Sequence, residues 1–306
     1  MITAGATLVI LPSVLLGGCA PTVIPAGDTV RAPALTEDRY VAADGTSLPL
    51  SVWPAANGAP KAVVLGLHGF GGSPTRGRWP GTEALVDDTK AVAALLRARH
   101  PDVPLYLAGE SMGGAVVLVA ADHGVEADGL ILSATALRSR DTFGPVLSAG
   151  LWFFAHTVPW LPNGPTSIDF KPTDNPKTLE KLRNDPMILR QPRLDMGYGL
   201  VDLMDDASVA AGRVKLPYLM LHGLGDRIVP QGPVRAAIEI MPPRTDSKLA
   251  FYKKGYHLLL RDKEGPVVAA DIVAWISDHQ AMLPSGADAE RSQPEVAASW
   301  GSKRSR

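Results

Sequence analysis

A serine set among glycines, Gly109-Glu110-Ser111-Met112-Gly113, is the pattern in this chain most able to do chemistry. The apolar run Leu105–Ala108 precedes it, and a second, Met112–Ala121, follows at once. Strand, turn and helix in that order make the setting of a nucleophile elbow, a sharp turn that holds a serine hydroxyl clear of the backbone. The flanking glycines let neighbouring backbone approach closely. The helix N-terminus beside Ser111 offers free N–H groups to developing negative charge.

A serine hydroxyl is a poor nucleophile until a base takes its proton. The chain has seven histidines. His257 lies in a Gly255-Tyr256-His257 loop after the strand-like Lys248–Tyr252, at the sheet edge expected to carry Ser111. His100 and His279 end helices, His123 follows one, His156 sits in a long insertion and His222 ends a strand. These read as structural or surface residues. An acid should orient the imidazole and stabilise its cation. Asp226 is the first acidic residue beyond the strand Tyr218–Leu221. A turn-capping aspartate before Arg227 is its plainer reading, and Asp202 and Asp205 are poorer candidates. Acyl transfer also needs two N–H donors for the oxyanion. The backbone of Met112 should supply one. Phe70, in the His68-Gly69-Phe70-Gly71 loop after Ala62–Leu67, should supply the other, with His68 holding the loop.

These residues need a scaffold that brings several loops to one edge. Strand-like and helix-like segments alternate from Tyr40. Ser47–Trp53, Ala62–Leu67, Leu105–Ala108, Leu130–Ser133, Tyr218–Leu221 and Lys248–Tyr252 read as strands. Thr82 to about Arg99, Met112–Ala121, Val234–Met241 and Pro266–His279 read as helices. Such alternation predicts an α/β fold, a mainly parallel sheet with helices on both faces. From about 138 to 213 strand signals stop, which predicts a helical cap. Its Trp152, Phe153 and Trp160 are candidate pocket residues, although seating the cap on the core is the plainer role for any one of them. Beyond Leu283 the composition turns to Ser, Gly, Ala and charge, so a disordered tail is expected over 284–306.

Composition narrows the partners. Thirty Lys+Arg against 31 Asp+Glu give a net charge of -1, which argues against a broadly electrostatic nucleic-acid binder. At 46% hydrophobic the chain is too apolar to be disordered throughout. Its single cysteine excludes an intramolecular disulfide framework and a multi-cysteine metal site. No metal, cofactor or obligate protein partner is expected. That cysteine closes an uncharged apolar N-terminal stretch as Leu16-Gly17-Gly18-Cys19, similar to a bacterial lipobox. The expectation is a lipoprotein signal peptide over 1–18, acylation of Cys19 and a tether over 19–36. The protein would then be anchored to a membrane of a bacterial cell envelope, facing periplasm or exterior.

The pieces His68-Gly69-Phe70-Gly71, Gly109-Glu110-Ser111-Met112-Gly113-Gly114, His222…Asp226…Pro230 and Tyr256-His257 resemble the α/β-hydrolase superfamily. Within it they resemble the monoacylglycerol lipase / lysophospholipase group, grouped with serine aminopeptidases of the S33 type. The cap pieces His156-Thr157-Val158-Pro159-Trp160, Asp185-Pro186 and Tyr198-Gly199-Leu200-Val201-Asp202-Leu203 add to the likeness, which covers about 40–280. It implies an α/β-hydrolase domain over 37–283 and cofactor-independent cleavage of lipid esters. A lipid-binding protein of the same fold with impaired catalysis, a general carboxylesterase and an aminopeptidase are the alternatives. The chain departs from the group at one place. About a dozen residues separate Gly69 from Thr82, where the group holds a helix, a strand and a further loop. One helix–strand unit is therefore expected to be missing, which would leave backbone unpaired and expose apolar surface unless the neighbouring strands close up.

Overall fold

The computed structural model describes residues 21–71, 77–162 and 171–291. Its centre is a six-stranded sheet in the order β4 (Val63–Leu67), β5 (Leu105–Glu110), β6 (Gly129–Ser133), β7 (Tyr218–Gly223), β8 (Lys248–Tyr252), β9 (Asp288–Ala289). The first five run parallel and β9 runs antiparallel to β8. Every residue of β6 and β7 is buried. This is why those segments are continuous apolar runs without alternation: helices cover both faces of a parallel sheet.

The two faces have separate cores. On one, Leu107, Leu130, Leu132, Tyr218 and Met220 pack with α1 (Thr82–Arg99), α2 (Met112–Asp122) and α5 (Leu194–Ala211). On the other, Tyr106, Ile131, Leu219, Leu221 and Ala250 pack with Val268 and Trp275 of α7 (Gly265–Ser277). Helix α2 reads MGGAVVLVAAD, rich in glycine and valine and poor in strong helix formers. Its residues from Gly113 to Ala120 are all buried, so packing rather than propensity holds it. Between β6 and β7 the described residues form helices: a 3₁₀ turn at Arg140–Phe143, α3 (Pro145–Thr157), α4 (Pro176–Asn184) and α5.

The sheet is split where the sequence loses a unit. Strands β1 (Ala34–Leu35), β2 (Arg39–Val41) and β3 (Ser47–Pro49) form a separate antiparallel sheet. The strand read over Ser47–Trp53 thus ends at Pro49, and it does not join the main sheet. Among the described residues β4 has a strand partner on one side only. Its side chains alternate between partly buried and exposed, and Val64 is 48% exposed. The neighbouring strands have not closed up. Instead Tyr40 and Ala42 of the small sheet pack against Val92 of α1, with Leu65 of β4 beside them, and the Tyr40 hydroxyl donates to Asp88 of α1 at 3.0 Å.

Two segments differ from their reading as flexible chain. Within 19–36, read as a tether, Val23 pairs with Trp79 and the Ile24 N–H donates to the Trp79 carbonyl at 2.9 Å. The N–H of Gly27 donates to Asp44 at 2.9 Å. Within 284–306, read as disordered, β9 pairs with β8. Arg291 then donates to the carbonyls of Ile238 and Met241, each at 2.7 Å. Cys19 and the expected signal peptide lie outside the described residues. No helix among the described residues is long and apolar enough to cross a membrane.

Candidate active site

Ser111 sits between the last residue of β5 and the first of α2. Its φ is 56° and its ψ -116°, a region that L side chains rarely adopt and that persists only where surroundings enforce it. They do so here by hydrogen bonds and by close packing. The Ser111 N–H donates to the Ser133 carbonyl at 2.9 Å, and its carbonyl accepts from Ala136 at 3.0 Å. A Cβ on Gly109 would collide with the backbone of Gly113, and one on Gly113 would collide with the Leu67 carbonyl. The turn is that tight, which is the physical reason for both glycines.

The acid and the base come from the next loops along the same edge. Asp226 follows β7 and His257 follows β8. Their loops interlock: the Gly225 N–H donates to the Gly255 carbonyl at 2.9 Å and the Leu224 N–H to the Tyr252 carbonyl at 2.9 Å. This sets Asp226 Oδ2 2.8 Å from His257 Nδ1. The other carboxylate oxygen accepts from the N–H groups of Ile228 and Val229 at 2.8 and 3.0 Å. Both side chains are buried. An aspartate held in this way fixes the tautomer that leaves the far ring nitrogen of His257 free to take a proton.

Phe70 and Met112, the expected oxyanion donors, lie on the two loops that flank Ser111. A Cβ placed on Gly69 would stand 3.2 Å from that of Ser111, so the His68–Gly71 loop runs directly beside this serine. His68 Nδ1 is 2.8 Å from the Gly69 carbonyl. Trp152, Phe153 and Trp160 are 54%, 53% and 54% exposed. Trp152 stacks on His156 with ring centroids 4.5 Å apart, and Phe153 packs edge-on against Phe154.

Three residues near the site escaped the sequence reading. Glu110 lies inside the G-x-S-x-G pattern, where any residue is allowed. Burial raises its carboxyl above the usual range, against the pull of Arg261, His257 and His68. The Arg261 guanidinium is 3.7 Å from it. Asp262, buried, accepts the Tyr256 N–H at 2.7 Å and so holds the loop that carries His257. The signal available in sequence was an acidic residue five places beyond the histidine, which says nothing without the fold. Among the described residues no group of His, Cys, Asp and Glu could hold a metal ion.

Comparison with known proteins gives the family and the fold. Residues 60–264 match the family described as serine aminopeptidase, S33. The monoacylglycerol lipase of Mycolicibacterium smegmatis is 27% identical over 197 residues, 63% of this chain and 69% of that protein. The monoglyceride lipase of Mus musculus is 27% identical over 285 residues, 80% of this chain and 92% of that one. The crystal structure of Paleococcus ferrophilus monoacylglycerol lipase superposes with a TM-score of 0.58 at 21% identity, over 75% of this chain and 100% of that one. A soluble variant of monoglyceride lipase from Saccharomyces cerevisiae gives 0.59 at 20% identity, over 75% and 91%. At such identities the solved structures establish the fold, an α/β-hydrolase. The family match spans more than half of the chain and includes Ser111, Asp226 and His257, so the protein belongs to the S33 serine aminopeptidase family of α/β-hydrolases.

Proposed function

We propose that the protein is a serine hydrolase that cleaves carboxylic esters of lipids, of monoacylglycerol or lysophospholipid type, through an acyl-enzyme. The observation that carries this reading is the buried Asp226–His257 pair at 2.8 Å, set at the same sheet edge as a serine held at φ 56°. The relatives named monoacylglycerol and monoglyceride lipase support the choice of bond and substrate. Ser111 Oγ attacks the ester carbonyl as His257 takes its proton. The N–H groups of Phe70 and Met112 receive the oxyanion. His257 then returns the proton to the leaving alcohol. Water enters, gives a proton to His257 and attacks the acyl-enzyme carbonyl, which frees the fatty acid and restores Ser111. An aminopeptidase would need a carboxylate free for the substrate's amine. Glu110, the acid beside the serine, already faces Arg261 at 3.7 Å.

Fluorophosphonate labelling tests the mechanism. The parent is expected to label and to hydrolyse p-nitrophenyl butyrate. Ser111→Ala is expected to lose labelling and about 10⁵–10⁶ in kcat, with an unchanged circular dichroism spectrum. Activity retained by that variant would refute the assignment.

The same reading includes an acyl anchor on Cys19 at a bacterial cell envelope, supported by the apolar stretch that ends Leu16-Gly17-Gly18-Cys19. A chain so anchored would meet its lipid substrate in the adjoining bilayer. Cys19→Ser is expected to move the expressed protein from the detergent phase to the aqueous phase on partitioning. Unchanged partitioning would overturn the anchor.

A further inference from the structure

Beside the small sheet lies a cavity. It has a volume of about 510 Å³, within the rough range of 300–1,000 Å³ of small-molecule sites. It lies between the β1–β3 sheet and α1. Its walls are mostly apolar: Leu48 of the small sheet, Leu85 of α1, Trp79, and Ile24 from the segment that precedes β1. Phe70 and Met112 also border it. Met112 follows Ser111 in the chain and Phe70 follows Gly69, which packs on Ser111, so the cavity reaches the residues next to the serine.

We propose that this cavity receives the acyl chain of the substrate, with the ester at Ser111 and the hydrocarbon tail running between the small sheet and α1. The inference rests on the lipid-ester reading above and gives it a binding site. Two observations fix the chemistry of the occupant. The walls offer mainly apolar side chains. Three carboxylates, Asp44, Asp87 and Asp88, border the cavity against one guanidinium, Arg78, and their excess disfavours an anionic head group there. A tail fits and a phosphate does not. The polar part of the ester then lies on the other side of Ser111. Residues 24–33, beyond the proposed anchor, supply part of the outer wall.

The test uses the detergent-solubilised full chain and p-nitrophenyl esters of increasing length. Each methylene buried from water is worth about fourfold in affinity, so kcat/KM is expected to rise at least tenfold from butyrate to laurate. Ala84 and Ala91 border the cavity from α1 and are only partly buried. Ala84→Phe and Ala91→Phe fill it from a surface with room to adjust. Each is expected to lower the laurate-to-butyrate ratio of kcat/KM at least tenfold. An unchanged laurate-to-butyrate ratio in both variants would overturn the proposal. A second measurement needs no variant: a dodecyl fluorophosphonate with a terminal diazirine, attached at Ser111 and then photolysed. Crosslinks within 24–48 or α1 support the cavity. Crosslinks confined to α3 overturn it and leave the serine-hydrolase reading intact. A chain that neither labels nor hydrolyses butyrate defeats the function itself and the cavity proposal with it.

Discussion

His222 shows how a single residue beside the site can govern stability. It ends at the same edge as Asp226, is buried, and has no hydrogen-bond partner for either ring nitrogen among the described residues. Its ring meets Phe251 edge-on at 6.0 Å between centroids. Burial pushes its pKa down to about 4, with the nearby His257 adding to the shift and Asp226 opposing it. The folded state therefore resists a proton that the unfolded state accepts near pH 6.5. Stability from this group is fully present above about pH 6.5 and is lost as the pH falls toward 4, by about 1 kcal/mol per pH unit. His222→Leu is expected to flatten that dependence. Melting temperatures of the two proteins between pH 7 and pH 5 check this, and parallel curves would refute it. The sequence assigned His222 a structural role because it sits one strand-end away from the acid. Ser111, Asp226 and His257 stood out in the sequence for the same reason: each follows an apolar strand within a few residues. What the sequence could not supply was the contact at 2.8 Å between two residues thirty-one places apart, which depends on Gly225 meeting Gly255.

At the scale of elements, legibility followed burial. The interior strands and α2 are long apolar runs, and their type and place were evident. The small elements were not. Strand β9 is only Asp288–Ala289, residues of low strand propensity, recruited because β8 had an open edge and Lys248 sits 3.1 Å from Asp288. The tether was misjudged because Val23 and Ile24 acquire a partner only when Trp79 is brought near. The same physics makes β4 a liability. An edge strand with apolar side chains facing solvent is a template for pairing with another chain. Val64→Lys is expected to reduce aggregation on heating, measured by light scattering, and to change stability by less than about 0.5 kcal/mol. A large fall in melting temperature would mean that Val64 is covered rather than exposed.

For the whole molecule, the departure from the family proves to be a division. The catalytic sheet and its helices form one body of parallel strands, with Ser111, Asp226 and His257 along its edge. The β1–β3 sheet is joined to that body by side chains: Tyr40 and Ala42 on Val92, and Tyr40 on Asp88. No backbone hydrogen bond links β3 to β4 among the described residues. The departure was visible in the short interval between Gly69 and Thr82. Its outcome was not, because closing the gap and leaving it open use the same residues.

That division sets a hierarchy of opening. A sheet of three short strands held by one apolar cluster, the Tyr40 hydroxyl and a hydrogen bond from Arg99 to the Leu35 carbonyl can detach while the six-stranded sheet stays intact. Amide protons of β2 and β3 are then expected to exchange with deuterium roughly a hundredfold faster than those of β5, β6 and β7. Equal protection across both sheets would mean that they unfold as one unit. The small sheet would behave as a door on the enzyme, free to move on a timescale of its own.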